Sequence, residues 1–235
     1  MKGNLYLIPV GLGDNELNNV LPQKNFEIIN GITHFIVENV RSARRFLVKS
    51  KIKNAIDELT FYEMGKHSNP LDYHRYLDIV LKGKNVGVIS EAGCPGIADP
   101  GADIVAIAHE KGIKVIPLVG PSSIFLALMA SGMNGQNFAF KGYLPVKKPQ
   151  RIKKLKADEQ RSRNEKQTQI YIEAPYRNIS LLADMLEILK PSTKLCIAVD
   201  VTLKSEFIRT KSVKEWKKSK PDINKKPAIF LLQAE

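Results

Sequence analysis

Residues 86–112 read VGVISEAGCPGIADPGADIVAIAHEKG, and how this stretch is read decides the fold. Val86 to Ile89 form a short β-branched run of the kind found in a strand buried on both faces of a parallel sheet. Periodicity alone does not separate so short a run from a piece of buried helix. A helix is expected further on. Asp99, Pro100 and Asp103 stand where an N-cap, a first-turn proline and a first-turn carboxylate belong. Ile104, Val105, Ile107 and Ala108 then carry helical spacing until Gly112 stops it. Between strand and helix lies SEAGCPGIA, in which Gly93 and Gly96 let another molecule approach the backbone and Pro95 stiffens the chain. Ligands of open α/β sheets bind beyond the carboxyl ends of the strands. The loop is therefore either a ligand cradle or an elaborate turn that binds nothing, and its local chemistry leaves both readings open.

Upstream, LYLIPV at 5–10 reads as a buried strand running into the turn-rich GLGDN. GLGD begins a dinucleotide fingerprint, but no third glycine and no correctly spaced acid follow, and no phosphate-binding GxxxxGK is present. THFIVENV at 33–40 reads as a second strand, which brings Glu38 and Arg41 to the same sheet end if the sheet is parallel. Residues 69–82 are helical in pattern, and IKVIPLV at 113–119 is again a strand. This alternation predicts a doubly wound parallel sheet.

Downstream the pattern changes. VGPSSIFLALMASGM predicts a helix starting at Pro121 and Ser122, apolar on nearly every face and hence buried. NFAFKGYLP, QIYIEAP, KLCIAVDV, SEFIRTKSV and PAIFLLQ are strand-like, and NISLLADMLEIL is the clear amphipathic helix among them. The strands within 194–213 predict an antiparallel hairpin. The reading is an α/β chain of two domains: residues 1–118 with a mostly parallel doubly wound sheet, and residues 119–235 with a mixed sheet.

At 235 residues and 43% hydrophobic content the chain has material for a real core. No apolar stretch is long enough to span a bilayer and the N-terminus lacks a signal-peptide pattern, so a cytoplasmic protein without membrane contact is expected. Cys94 and Cys196 form no disulfide framework, and His34, His67, His74 and His109 share no metal-ligand spacing, so no metal is expected. The formal net charge of +12 points to a polyanionic partner. Residues 147–166, KKPQRIKKLKADEQRSRNEK, hold nine basic side chains and three acidic ones. That run reads as a solvated helix or loop, or as a surface that contacts phosphates through residues such as Lys147, Lys148, Lys153 and Lys154.

Taken together, NLYLIPVGLGD, VISEAGCPGIADPG, PLVGPSSIFLALMASGM with FAFKGYLP, IYIEAPYRN, and the Glu38 and Arg41 of VENVR resemble one family in order and over nearly the full length. That family is the tetrapyrrole-methylase-like S-adenosylmethionine (SAM)-dependent methyltransferases, and within it the branch that methylates a ribose of small-subunit ribosomal RNA. The resemblance implies two α/β domains with a cofactor cleft between them, and a homodimer. It places SAM against Pro9 and Gly11, against Glu91, Gly93, Cys94 and Ile97, and against Ser122 and Ser123. Glycine-rich turns leave main-chain groups uncovered for such a ligand.

Several positions depart from the family pattern. Its usual Ser-Asp-Ala-Gly-Thr-Pro stands here as Ser90, Glu91, Ala92, Gly93, Cys94 and Pro95. GLGDN replaces the first-loop pattern, Asn39 and Val40 stand where Asp and Thr are usual, and the chain ends where longer relatives carry a further C-terminal region. Methyl transfer to a ribose hydroxyl needs positioning and help with deprotonation. Glu38 is the expected base, with Arg41 orienting it or holding a phosphate; a structural Glu–Arg ion pair is the alternative. Glu173 and Arg177 are expected to line the substrate side, with Tyr171 or Tyr176 available for stacking, although ordinary strand packing would equally account for the tyrosines. Three functions stay open: an rRNA ribose methyltransferase, a methylase of tetrapyrrole precursors or other small molecules, and a non-catalytic RNA-binding relative.

Overall fold

The first strand, β1 (Asn4–Ile8), lies near the middle of a five-stranded sheet. The structure, a computed structural model, describes residues 2–65 and 70–235; His67 and Asn69 lie outside the described residues. The chain forms two compact units, Met1–Ser122 and Ser123–Glu235.

In the first unit, β1 is followed by α1 (Gln23–Ile29), β2 (His34–Val37), α2 (Val40–Lys49) and β3 (Thr60–Glu63). The expected helix of 69–82 is two short ones, α3 (Pro70–Tyr76) and α4 (Asp78–Leu81). Then come β4 (Val86–Ile89), α5 (Gly101–Glu110) and β5 (Lys114–Pro117). The strand order is β3-β2-β4-β1-β5, parallel throughout. Alternate side chains enter opposite layers. Leu5, Ile36, Val86 and Val88 pack with Leu77, Val80, Ile104 and Ala108, while Ile8, Phe35, Val37 and Ile89 pack with Ile29, Ala43 and Leu47. Gly87 faces the second layer because a β-carbon there would lie 2.6 Å from Ile8 Cδ1 and 2.9 Å from Phe35 Cδ1.

Two local expectations are corrected. Pro100, not Asp99, occupies the N-cap of α5. Asp99 Oδ1 instead accepts the N–H groups of Gly96 at 2.8 Å and Gly101 at 2.7 Å, so one carboxylate ties the loop to the first turn. The second strand stops at Val37, because Asn39 caps α2 by accepting from the N–H groups of Arg41 and Ser42. At the far end of α5, Gly112 takes φ +60° and the Gly112 and Ile113 N–H groups return to His109 and Ala108, a Schellman closure.

The second unit contains α6 (Ser123–Ser131), β6 (Phe138–Tyr143), α7 (Lys148–Glu165), β7 (Thr168–Glu173), α8 (Asn178–Ile188), β8 (Lys194–Val199), β9 (Phe207–Ser212), α9 (Val213–Lys218) and β10 (Ala228–Gln233). Its sheet runs β6-β7-β10-β8-β9, with β6 and β7 parallel and the other neighbours antiparallel, including the β8–β9 hairpin. Leu155, Leu182, Met185, Trp216 and Phe230 belong to the core of one face, and α6 packs on β9 and β10. The expected all-round burial of α6 is not found: Ile124, Ala127 and Leu128 are buried while Phe125 and Met129 are 54% and 79% exposed.

The basic run 148–165 is one helix with a buried polar face, not a freely solvated one. Arg151 is 7% exposed and meets the buried Asp184, its Nε 2.6 Å from Oδ2; its Nη1 donates to the carbonyls of Pro145 and Val146. Glu159 accepts from the Lys190 N–H and the Thr193 hydroxyl, and Asp158 accepts from Lys154 and Tyr171. Among the described residues no helix is long and apolar enough to cross a membrane.

Candidate active site

In the first sheet the chain leaves β1 toward β2 on one side and leaves its neighbour β4 toward β5 on the other. Connections that diverge from adjacent parallel strands open a crevice at the strands' carboxyl ends. The loops after β1, β4 and β5 meet there. Val10 N–H donates to Gly93 O at 2.9 Å, which ties the first loop to the second. Gly93 has φ +72°, and a β-carbon on it would lie 3.3 Å from both Leu12 Cδ2 and Pro121 O, so its bare backbone is wedged between the first and third loops. Gly120 packs directly against the Pro9 ring; a β-carbon there would come within 2.3 Å of it. Cys94 Sγ lies 3.4 Å from Pro121 O. Burial pushes this thiol's pKa up, which suits a packing role over a nucleophilic one.

Three carboxylates gather beside these loops. Glu38, just past β2, accepts the Glu91 N–H at 3.0 Å, and Ser42 near the start of α2 donates to Glu91 Oε1 at 2.5 Å. Burial raises the pKa of the Glu38 carboxyl, and the charges of Asp99 and Glu91 raise it further against the opposing Glu91 N–H. None of Glu38, Glu91 and Asp99 forms an ion pair among the described residues. Arg41, expected to orient Glu38, does not pair with it: it is exposed at the start of α2, and the charges felt by Glu38 are acidic. Among the described residues, the buried Ser90 hydroxyl and the inner oxygen of Asp99 have no hydrogen-bond partner. Orphaned polar atoms of this kind are costly unless something satisfies them. Among the described residues no cluster of His, Cys, Asp and Glu is arranged to hold a metal.

The structure thus brings Pro9, Glu91, Gly93 and Cys94 together with the Gly120–Pro121 turn. Gly11 lies on the same first loop, Ile97 is 52% exposed in the second, and Ser122 and Ser123 are the last residue of the first unit and the first of α6. In the second unit, Glu173 and Arg177 face each other. The fully buried Glu173 side chain accepts from the Ala174 N–H at 2.7 Å and from Arg177 Nη2 at 2.7 Å, and Arg177 also donates to Leu144 O. These contacts account for the pair within its own unit. Tyr171 is fully buried with its hydroxyl on Asp158, so only Tyr176, 76% exposed, remains free to stack. Of the four lysines singled out in the basic run, Lys148 and Lys154 are held in ion pairs, and Lys147 and Lys153 are exposed. Sequence reasoning missed Ser42 and Gly120. Asn39 followed by Ala43, Phe46 and Leu47 at helical spacing was the available signal for the helix that carries Ser42.

A glycine-lined crevice at the switch point of a doubly wound sheet, with carboxylates in no ion pair among the described residues beside it, is a geometry suited to a small cationic or nucleoside-like ligand. The sequence profile of the tetrapyrrole (corrin/porphyrin) methylases matches residues 4–216. Two relatives named ribosomal RNA small subunit methyltransferase I are similar to this chain: that of Vibrio cholerae, 30% identical, covers 87% of the chain and 67% of its own length, and that of Bacillus subtilis, 31% identical, covers 88% and 67%. Among solved structures, the methyltransferase CobJ superposes with a TM-score of 0.65 at 15% identity, covering 99% of this chain and 94% of its own. The chain belongs to the tetrapyrrole methylase family and is a SAM-dependent methyltransferase with that family's α/β fold.

The residues present fit the cofactor. SAM carries a sulfonium and an ammonium, and the carboxylates of Glu38, Glu91 and Asp99, in no ion pair among the described residues, are the electrostatic complement. The unsatisfied Ser90 hydroxyl and the bare main chain at Gly93 supply directed polar partners in a cradle that a side chain would fill.

Proposed function

We propose that this enzyme methylates a ribose hydroxyl of small-subunit ribosomal RNA. The observation that carries the reading is the three-loop cradle with Glu38 at its edge, in a chain whose similar relatives bear the name ribosomal RNA small subunit methyltransferase I. The tetrapyrrole alternative is not favoured: the CobJ likeness, at 15% identity, speaks for the fold alone. The cytoplasm is the compartment where this substrate resides. A homodimer is the assembly we infer, and the exposed Phe125, Met129 and Phe138 are apolar surface of the kind self-association covers.

When bound, SAM supplies an electrophilic methyl group on a good leaving group. The chain's part is to hold that methyl in line with the acceptor oxygen; positioning of this kind contributes about 7–11 kcal/mol in favourable cases. The first, second and third loops hold the cofactor by main-chain groups, with Glu91, steadied by Ser42, on its cationic side. Glu38 accepts the ribose hydroxyl proton as the new C–O bond forms. The direct test is to incubate the protein with SAM and unmodified small ribosomal subunits. Mass spectrometry of the digested RNA is expected to find one new 2′-O-methyl nucleoside, and its absence would sink the reading.

Glu38→Gln separates a base from a structural carboxylate. The folded-state pKa of Glu38 is raised, so folding favours the protonated form. That stabilisation is present in full below the ordinary carboxylate pKa of about 4.3 and is lost as pH rises through the elevated value. Near neutral pH the neutral Gln, which keeps an acceptor for the Glu91 N–H, is expected to unfold at an equal or higher temperature than the native residue, with kcat lower by roughly 10²–10⁴-fold. A lowered melting temperature with unchanged kcat would make Glu38 a structural residue.

A further inference from the structure

Residues 40–54 hold Arg41, Arg44, Arg45, Lys49, Lys51 and Lys53 and no Asp or Glu. Arg41, Arg44, Arg45 and Lys49 recur at helical spacing along one exposed face of α2, opposite the buried Ala43 and Leu47. Arg41, Arg44 and Arg45 line a depression of about 510 Å³ together with Asn39 and Glu63. Arg45 also lines a second depression of about 300 Å³, whose walls include Gly11, Lys49 and Glu91. One arginine therefore borders both the cradle loops and the arginine-lined hollow, and Ser42 of the same helix is hydrogen-bonded to Glu91.

The two basic segments differ in what neutralises them. On α7, Lys148, Arg151, Lys154 and Arg161 have carboxylate partners. On α2, among the described residues, only Lys49 is in an ion pair, with Asp14 at 2.6 Å. Arg44 lies over the Phe61 ring at 5.4 Å, which supports the guanidinium plane and leaves its edge donors for an anion. Glu63 is the carboxylate in the wall of the hollow and repels phosphate there, so the docking side is that of Arg44 and Arg45.

We propose that this face of α2 is the phosphate-docking surface that seats an RNA strand beside the methyl-transfer site, ahead of the basic run on α7. The proposal rests on the rRNA reading above. From Arg41 to Lys49 the helix advances about 12 Å, enough to engage more than one phosphate. Phosphate contacts position the strand and carry no sequence information.

The test measures binding of unmodified small-subunit rRNA by fluorescence anisotropy across about 50–200 mM salt, the range in which such electrostatic binding weakens most visibly. Replacing both arginines (R44Q with R45Q) is expected to weaken low-salt binding at least tenfold and to flatten the plot of log K against log salt by about 1.4, or roughly 0.7 for each phosphate no longer neutralised. If the double variant does not fold, Arg45→Gln alone is expected to flatten the slope by about 0.7. An unchanged slope in a folded variant overturns the proposal, as does flattening produced by K147Q with K153Q and not by the arginine variants. Wild-type titration with SAM alone is read separately: failure there sinks the methyltransferase reading, while the slopes still decide whether α2 holds RNA.

Discussion

Gly93→Val is expected to lower SAM affinity at least 100-fold in calorimetric titration while far-ultraviolet circular dichroism stays that of a folded protein. Gly93 sits at φ +72°, where a residue with a β-carbon is strained by about 1–2 kcal/mol and a β-branched one by more. Its β-carbon would also press on Leu12 Cδ2 and Pro121 O at 3.3 Å, tighter than ordinary packing. Relief requires the second loop to move off the first, which strains the Val10–Gly93 hydrogen bond, or off the third, which opens the Gly93–Pro121 contact, and either movement disturbs the register of the three loops. A hundredfold loss corresponds to about 2.7 kcal/mol, comparable to the strain introduced. The global fold survives because that cost is below the ordinary stability of a domain, about 5–15 kcal/mol. A folded Val variant that binds SAM as tightly as the native protein would show that these loops do not form the cofactor cradle.

The largest effect on stability is expected for Arg151→Ala. Arg151 and Asp184 are both nearly inaccessible, joined at 2.6 Å, and the guanidinium also satisfies the Pro145 and Val146 carbonyls. Truncation leaves a buried carboxylate facing a cavity, with only the half-exposed Lys148, 3.3 Å from its other oxygen, to offset it. Removing one partner of such a pair costs about 3–5 kcal/mol, which urea denaturation will register as a lower midpoint. Arg151→Lys is expected to recover little, because an ammonium cannot reach both carbonyls and the carboxylate with fork geometry. Replacing both partners, Arg151→Met with Asp184→Leu, is expected to restore most of the stability, since no charge is then stranded. A loss below about 1 kcal/mol for the single Ala variant would mean that solvent reaches the pair.

Much of the candidate site was legible because its signals are local. A glycine at positive φ, a strand of four buried residues and a proline-stiffened turn are each written within a few consecutive positions, and the structure gathers Pro9, Glu91, Gly93 and Cys94, which the family resemblance singled out, on the loops those signals mark. Glu38 was also placed correctly, at the carboxyl end of β2. Its environment was not legible: the Glu91 N–H that it accepts is 53 residues away, and the acidic field around it arises only once β2 and β4 are neighbours. Arg41, three residues from Glu38, looked like its partner, but the Asn39 cap starts a helix between them and carries the guanidinium to the solvent.

The amino-acid sequence by itself determined the alternation of strands and helices, the parallel character of the first sheet, the mixed character of the second, and the glycine-rich loops at the strand ends, because each depends on periodicity and backbone freedom over short windows. Tertiary structure alone decided which charges are neutralised within the chain and which are free. The basic run of 147–166 buries Arg151, Asp158 and Glu159 against partners as far as 34 positions away, whereas the arginines of α2, less conspicuous in the sequence, stay exposed. The physical reason is that an ion pair needs its partner within a few ångströms, and only the packed chain brings the carboxylate that close.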